Sequence, residues 1–226
     1  VLGTSPDLSA GGTVLTVNNN LNLAGSTVLN FLLGTVTNEV VVSGNFSLGG
    51  TSSNFWARAI GWYGMALVDV LDYFPTNHPA RPGIVNTLQK LARGVAKYQD
   101  PQTGLWYQVV DQGERQGNYL EATASSMFVY TLAKGVNKGY LPRSFAPIAA
   151  KGYRGLIQTL VKVNGQNDVA LMQCCSVAGL GNGRDGSYHY YIHEPVVDND
   201  LKGVGPFILA GLEVQQLPRL GAAGIP

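Results

Sequence analysis

The chain has 226 residues, 45% of them hydrophobic and 13% charged, with a formal net charge of +1. That supports one large domain or two small ones, and it excludes the basic stripe that nucleic acid or an acidic membrane surface would want as main partner. No apolar run approaches the length that spans a bilayer.

Residues 1–53 carry only two charges, Asp7 and Glu39, and are dense in Gly, Asn, Thr, Ser, Val and Leu. Val1-Leu-Gly-Thr4 has no signal-peptide character and no initiator Met precedes it, so the chain reads as a fragment or a processed piece. Thr13-Val-Leu-Thr-Val17 and Glu39-Val-Val-Val-Ser43 alternate like strands between Asn and Gly turn signals. Asn20-Leu-Asn-Leu-Ala-Gly-Ser26 recurs as Asn45-Phe-Ser-Leu-Gly-Gly-Thr51, an offset of 25 residues that suits one coil of a β-solenoid. Two copies cannot bury a continuous core, so further coils are expected upstream. The turn Gly44-Asn-Phe-Ser-Leu-Gly-Gly50 resembles the autotransporter-associated β-strand repeat. That resemblance implies a secreted or surface-displayed structural segment without chemistry of its own.

At Phe55 the period changes to that of helices. Ile60, Tyr63, Leu67, Leu71 and Phe74 fall at three- and four-residue steps until Pro75 ends the run. Pro82 opens a second helix with Ile84, Leu88, Leu91, Val95 and Tyr98 on one face. Asp100-Pro-Gln-Thr-Gly104 is a turn, and Leu105 to Val110 is a short extended piece. Helices are expected at 120–136, 144–163 and 203–216, with a long loop over 164–202. The helices at 55–74, 120–136 and 203–216 carry small and aromatic residues, whereas those at 82–99 and 144–163 are amphipathic. Alternation of inner and outer helices is what a toroid of helical hairpins requires; a plain orthogonal bundle is the competing arrangement.

Chemistry concentrates in Phe55-Trp-Ala-Arg-Ala-Ile-Gly-Trp-Tyr63. Arg58 and Trp62 are four apart and share a helix face. An arginine can hold a carboxylate with two parallel hydrogen bonds beside the flat wall of a tryptophan, which is what an acidic sugar needs. A helix start with buried aromatics and a surface arginine explains the same residues without a ligand. Glu121 opens an inner helix beside Tyr119 and is a candidate to face a pocket mouth, although an acid there also suits the helix dipole. Ser125 lies one turn on, shares that face, and is a candidate pocket residue on the same terms. Asp69 and Asp72 read as solvated positions away from Arg58, and Asp100 as turn chemistry. Lys202 starts the last inner helix and is a candidate second contact for the acid group. Trp106 and Tyr107 read as a core patch or an aromatic subsite.

His189, His193 and Glu194 invite a zinc reading, but Tyr190-Tyr-Ile192 between the histidines and Gly-Ser before them favour an extended loop. The adjacent Cys174 and Cys175 cannot form an unstrained bridge, and Cys175 reads as a small buried residue without a partner base. No metal or cofactor is called for.

Several stretches in one order resemble glycoside hydrolase family 105, the unsaturated rhamnogalacturonyl hydrolases. They are Phe55 to Tyr63, Tyr98 to Val109, Asn118 to Phe128, Cys175 to Gly181, Arg184 to Tyr188 and Asn199 to Phe207. The resemblance covers about 54–213. It implies a mainly α fold, an (α/α)6 barrel of which about five of twelve helices are present, behind the short β-solenoid-like segment. It divides the chain into a repeat segment, 1–53, and an incomplete barrel, 54–226.

The resemblance also implies removal of a terminal 4,5-unsaturated uronic acid from short pectin-derived sugars. An aspartic acid protonates the C4 side of the vinyl-ether double bond and water adds at C5, so the carboxylate-spacing rule of ordinary glycosidases does not apply. Arg58 and Trp62 match the family's substrate-binding pair, while many members have Gly-Asn at Ala59-Ile60. The family's acid lies ahead of the Phe-Trp-x-Arg motif, where this chain has repeat sequence. No catalytic residue is therefore assigned, and the chain alone is expected to be inactive. Its expected partners are an unsaturated acidic oligosaccharide and, through exposed inner helices, further copies of itself. The hydrolase family points to the periplasm or cytoplasm where the repeat points to the surface. The alternative is a non-catalytic surface protein carrying a hydrolase remnant.

Overall fold

A computed structural model describes residues 14–17, 21–23, 39–42, 46–48, 54–166, 168–179 and 184–217. They divide into two units, one comprising 1–53 with 179–186, the other 54–178 with 187–226. In the first, β1 (Val14–Val17) runs parallel to β3 (Glu39–Val42), and β2 (Leu21–Leu23) parallel to β4 (Phe46–Leu48). Val14 stands opposite Glu39 and Leu21 opposite Phe46, so both registers pair residues 25 positions apart, the offset of the internal repeat. Two-stranded pairings are not by themselves the closed coils of a solenoid.

The second unit is helical. Its elements are α1 (Ala57–Tyr73), α2 (Arg81–Lys97), α3 (Ala122–Asn137), α4 (Ala146–Gly155), the single-turn α5 (Tyr188–His193) and α6 (Leu201–Gln215). Every residue of α3 from Ala122 to Val136 is buried. Both α1 and α6 pack against α3, α2 backs α1, and α4 backs α3. The inner layer is thus α1, α3 and α6, and the outer layer α2 and α4, as the two helix compositions suggested.

Small residues set the inner spacing. A Cβ on Gly61 would meet Met127, and one on Gly64 would meet Thr131, each at 2.8 Å. Gly203 approaches Thr123, and Asn137 bonds Glu213 near the other end. Contacts therefore advance in the same direction along all three inner helices, which run parallel. Between the layers, Trp106, Phe128, Leu132, Leu88 and Leu156 fill the core. Gly139, at φ +72°, ends α3 by turning the chain so that Tyr140 and Leu141 donate back to Gly135.

Three expectations need correction. The helix expected over 144–163 is a 3-10 turn (Arg143–Phe145), then α4, then a π-helical turn (Leu156–Leu160). From Val161 the chain becomes β5 (Val161–Val163), antiparallel to β6 (Val169–Leu171). The β-branched Val161 and Val163 favour a strand, and Asn164 Oδ1 accepts from the backbone N–H of Gln166 and Asp168 to close the turn. The region expected as one long loop holds β6, the second strand of that hairpin, then β7 (Cys174–Cys175) paired antiparallel to β8 (Val196–Val197), and α5. His189 and His193 lie on α5 rather than in extended backbone, because Ser187 caps the helix by accepting from Tyr190 N–H. Among the described residues no helix is long and apolar enough to cross a membrane.

Candidate functional site

The three parallel inner helices begin at the same end, and the segments that hold those ends together also gather the buried polar residues. The extended piece 105–110 lies beside the start of α1, where Ala57 N–H donates to Gln108 O at 3.0 Å and Val110 N–H to Phe55 O. It also lies beside the lead into α3, where Gln108 N–H donates to Tyr119 O at 2.8 Å and Glu121 N–H to Trp106 O at 2.9 Å. The strand β7 completes the enclosure: Ala122 N–H donates to Gln173 O, and Cys175 N–H to Glu121 Oε1 at 2.9 Å.

Within it Arg58 is 2% exposed. Its guanidinium donates to the carbonyls of Cys175 and Ser176, reaches Cys175 Sγ at 3.7 Å, and lies 5.2 Å from the centre of the Trp56 ring. Trp56 stacks in turn on Tyr191. Glu121 is wholly buried and caps α3. Its two oxygens accept from Ala124 N–H at 2.6 Å, from the Thr123 hydroxyl at 2.8 Å and from Cys175 N–H. Burial pushes its carboxyl above the ordinary value, against those hydrogen bonds and the nearby Arg58 charge. Burial likewise raises both thiols, that of Cys174 to about 12. Neither cysteine is therefore an activated nucleophile.

Three polar atoms here are buried without a hydrogen-bond partner among the described residues: Trp56 Nε1, Gln108 Oε1 and Tyr119 Oη. Each belongs to a residue touching Arg58 or Cys175; Gln108 Nε2 donates to Cys175 Sγ at 3.2 Å, and the Tyr119 hydroxyl lies beside that thiol. Buried polar groups are rarely left unpaired, so the enclosure has capacity for a polar occupant. Asp111, at the end of the extended piece, also buries an unpartnered Oδ1.

The sequence candidates separate. Arg58 and Glu121 come together at this end of the inner layer. Trp62, one turn along α1, is 45% exposed on the outward edge. Ser125 Oγ is buried and accepts from Trp106 N–H, tying the extended piece to α3. Lys202 bonds Asp200, the N-cap of α6, through both its backbone N–H and its Nζ. Burial opposes but does not prevent those bonds from holding Asp200 below the usual carboxylate range. Trp106 is fully buried and donates to Val95 O, so it is core. Asp69 and Asp72 are not free solvated acids: Lys134 reaches them at 2.6 and 2.8 Å, and the Tyr130 hydroxyl donates to Asp69. The His189 and His193 rings stack 3.9 Å apart, and no group of three or more potential metal-binding side chains forms among the described residues. Gln108 was not singled out from sequence; the signal that could have found it is one polar residue among the apolar Leu105, Trp106, Val109 and Val110.

Comparison with known proteins decides the family. The description Glycosyl Hydrolase Family 88 matches residues 41–217. The chain belongs to glycosyl hydrolase family 88. A 24.9 kDa protein in the picA locus of Rhizobium radiobacter is 39% identical over 178 residues, 75% of this chain and 76% of that one. A family 105 glycoside hydrolase from C. acetobutylicum is 48% identical, with a TM-score of 0.71 over 73% of this chain and 46% of that one. A possible family 105 member from Salmonella enterica is 26% identical, with a TM-score of 0.60 over 40% of its length. The family 88 chain thus spans less than half the length of these two solved structures. The fold likeness extends to the unsaturated glucuronyl hydrolase of Bacillus sp. GL1, at 15% identity and a TM-score of 0.53. The helical unit is of the family 88/105 (α/α)6-barrel type, and the match begins at residue 41, inside β3 rather than at Asn54.

Proposed function

We propose that this family 88 chain is an unsaturated rhamnogalacturonyl hydrolase-like protein of pectin breakdown, built to recognise a terminal 4,5-unsaturated uronic acid. The reaction is hydration of the vinyl-ether double bond. Protonation on the C4 side and addition of water at C5 give a hemiketal that collapses and frees the neighbouring sugar. The observation that carries this reading is Arg58, enclosed against Trp56 beside the unpartnered Trp56 N–H and the buried Tyr119 hydroxyl. A guanidinium with further N–H and O–H donors in a water-poor setting suits a carboxylate. Trp62 offers an exposed aromatic face one turn away, and Lys202 a second cation at the start of α6. Glu121 and Ser125 are the walls that fix the helix starts.

The chain alone is not assigned a proton donor. Glu121 spends both oxygens on cap and strand contacts and is sealed from solvent. The expected outcome with an unsaturated rhamnogalacturonan disaccharide is binding without loss of the vinyl-ether ultraviolet absorbance. Binding is expected to fall about tenfold or more in Trp62→Ala at unchanged helical circular dichroism, the cost of one lost aromatic contact. Loss of absorbance on adding purified chain overturns the inactive reading, and if Asp111→Asn then abolished it, Asp111 would be the acid. The first unit is proposed as coils of an autotransporter-like β-solenoid, a reading supported by its 25-residue parallel registers. The second reading, a non-catalytic surface protein, is favoured by the occupation of Arg58 with backbone carbonyls. Failure to bind any unsaturated acidic disaccharide would favour it.

A further inference from the structure

The inner layer of the helical unit ends in two edges that expose large apolar side chains, with the half-exposed Asp69 among those of α1. On α1, Gly61 and Gly64 face α3, and successive residues turn by 100°. Trp62, Ala66, Val70 and Tyr73 therefore lie on the side turned away, and all four are exposed, Tyr73 at 89%. On α6, Gly203, Ala210 and Val214 lie inward, while Leu201, Ile208, Leu209 and Leu212 point away and are exposed, Leu201 at 82%. Soluble proteins seldom leave large contiguous apolar patches bare without a partner for them.

We propose that a second copy of this chain covers them, the α1 edge of each copy seating on the α6 edge of the other. This rests on the reading that three inner helices are half of a six-hairpin ring, of which the chain spans 46% in the family 105 structure. Because α1, α3 and α6 run parallel, rotation by half a turn about an axis along them keeps every inner helix parallel. Each α1–α6 contact is heterologous, and two of them close the assembly. The three large side chains on the α1 edge and the four on the α6 edge average somewhat more than half exposed. At about 200 Å² per fully exposed side chain, covering both edges of both copies removes roughly 1,600 Å², within the range of stable specific interfaces. The pairing also sets a register. Gly61 packs at Met127 and Gly203 one turn lower at Thr123, so Trp62 stands level with Ile208 and Ala66 with Leu212. The partner thereby covers Trp62, the exposed aromatic face one turn from Arg58.

The test uses the whole chain and no sugar, so its outcome is separate from that of the substrate reading. Sedimentation equilibrium should give twice the 24.0 kDa chain mass, and Leu212→Asp, at an exposed position, should return it to 24.0 kDa with unchanged helical circular dichroism. Ala66→Cys and Leu212→Cys chains, each alone, should stay uncrosslinked on mild oxidation, and their mixture should yield a covalent dimer. The native cysteines are buried and do not compete. A monomer at all concentrations, an open-ended polymer, a crosslink from Ala66→Cys alone, or no crosslink in the mixture overturns the proposal.

Discussion

Two polar clusters join the same pair of helices and behave as opposites. At the start of α1 and α3, Arg58, Gln108, Glu121 and Cys175 are sealed from solvent and bond mostly to backbone. Twelve residues or so further along, Asp69, Asp72, Tyr130 and Lys134 bond to one another at the edge of solvent. The first organises chain segments that are far apart in sequence, and the second only clips two helices. Charge therefore does not mark the candidate site here. What marks it is charge enclosed with unsatisfied donors.

The contrast can be broken by mutation, and the largest effect is expected at Glu121. Replacing it by alanine removes the cap of α3 and strands the Cys175 N–H and the Thr123 hydroxyl in the interior. The expected cost is about 3 kcal/mol or more, read as a lower urea midpoint. Glu121→Gln, which keeps one acceptor, should lose clearly less. A cost near zero for the alanine variant would show that this end does not organise the fold. The next largest effect belongs to the helix spacing between the two clusters: Gly61→Leu has to displace Met127 and should cost roughly 1–3 kcal/mol. Lys134→Met, which keeps volume and removes the far cluster's cation, should cost only about 1 kcal/mol because both carboxylates remain partly solvated.

How much of this was visible in the sequence depends on the range of the interaction. The inner and outer helices could be read because a 3.6-residue period and the punctuation of Pro75, Pro82 and Gly139 are local signals. The end of α4 could not: Leu156 to Leu160 continues the helical pattern, and only the pairing with Val169 to Leu171 decides that Val161 starts a strand. The six-residue α5 is shorter than the window in which periodicity is measured. Arg58 and Glu121 stood out by residue type and motif, but their partners, the carbonyls of Cys175 and Ser176 and the N–H of Cys175, are backbone groups more than 50 residues away. Backbone partners leave no mark in residue identity. For the same reason Ser125 was legible as a residue and not as the bond to Trp106 that it makes.

The smallest expected effect separates the clusters by the sign of their pH dependence. In the far cluster the hydrogen bond from Lys134, ahead of the opposing desolvation, holds Asp72 below its ordinary 3.8. Its contribution is present above that pH and is lost as pH falls through the lowered folded value. The difference in stability between the native chain and Lys134→Met should therefore shrink below about pH 4, since the variant has less to lose. Glu121 runs the other way. Burial raises its carboxyl above 4.5, so its contribution is complete below that pH and declines as pH rises through the raised folded value. The difference between the native chain and Glu121→Gln should thus be greatest in acid and narrow toward neutrality. Urea midpoints for the three proteins from pH 3.5 to 7 read both slopes. Parallel slopes would mean that the hydrogen bonds to Glu121 outweigh its burial, and that the two clusters differ in partners but not in electrostatics.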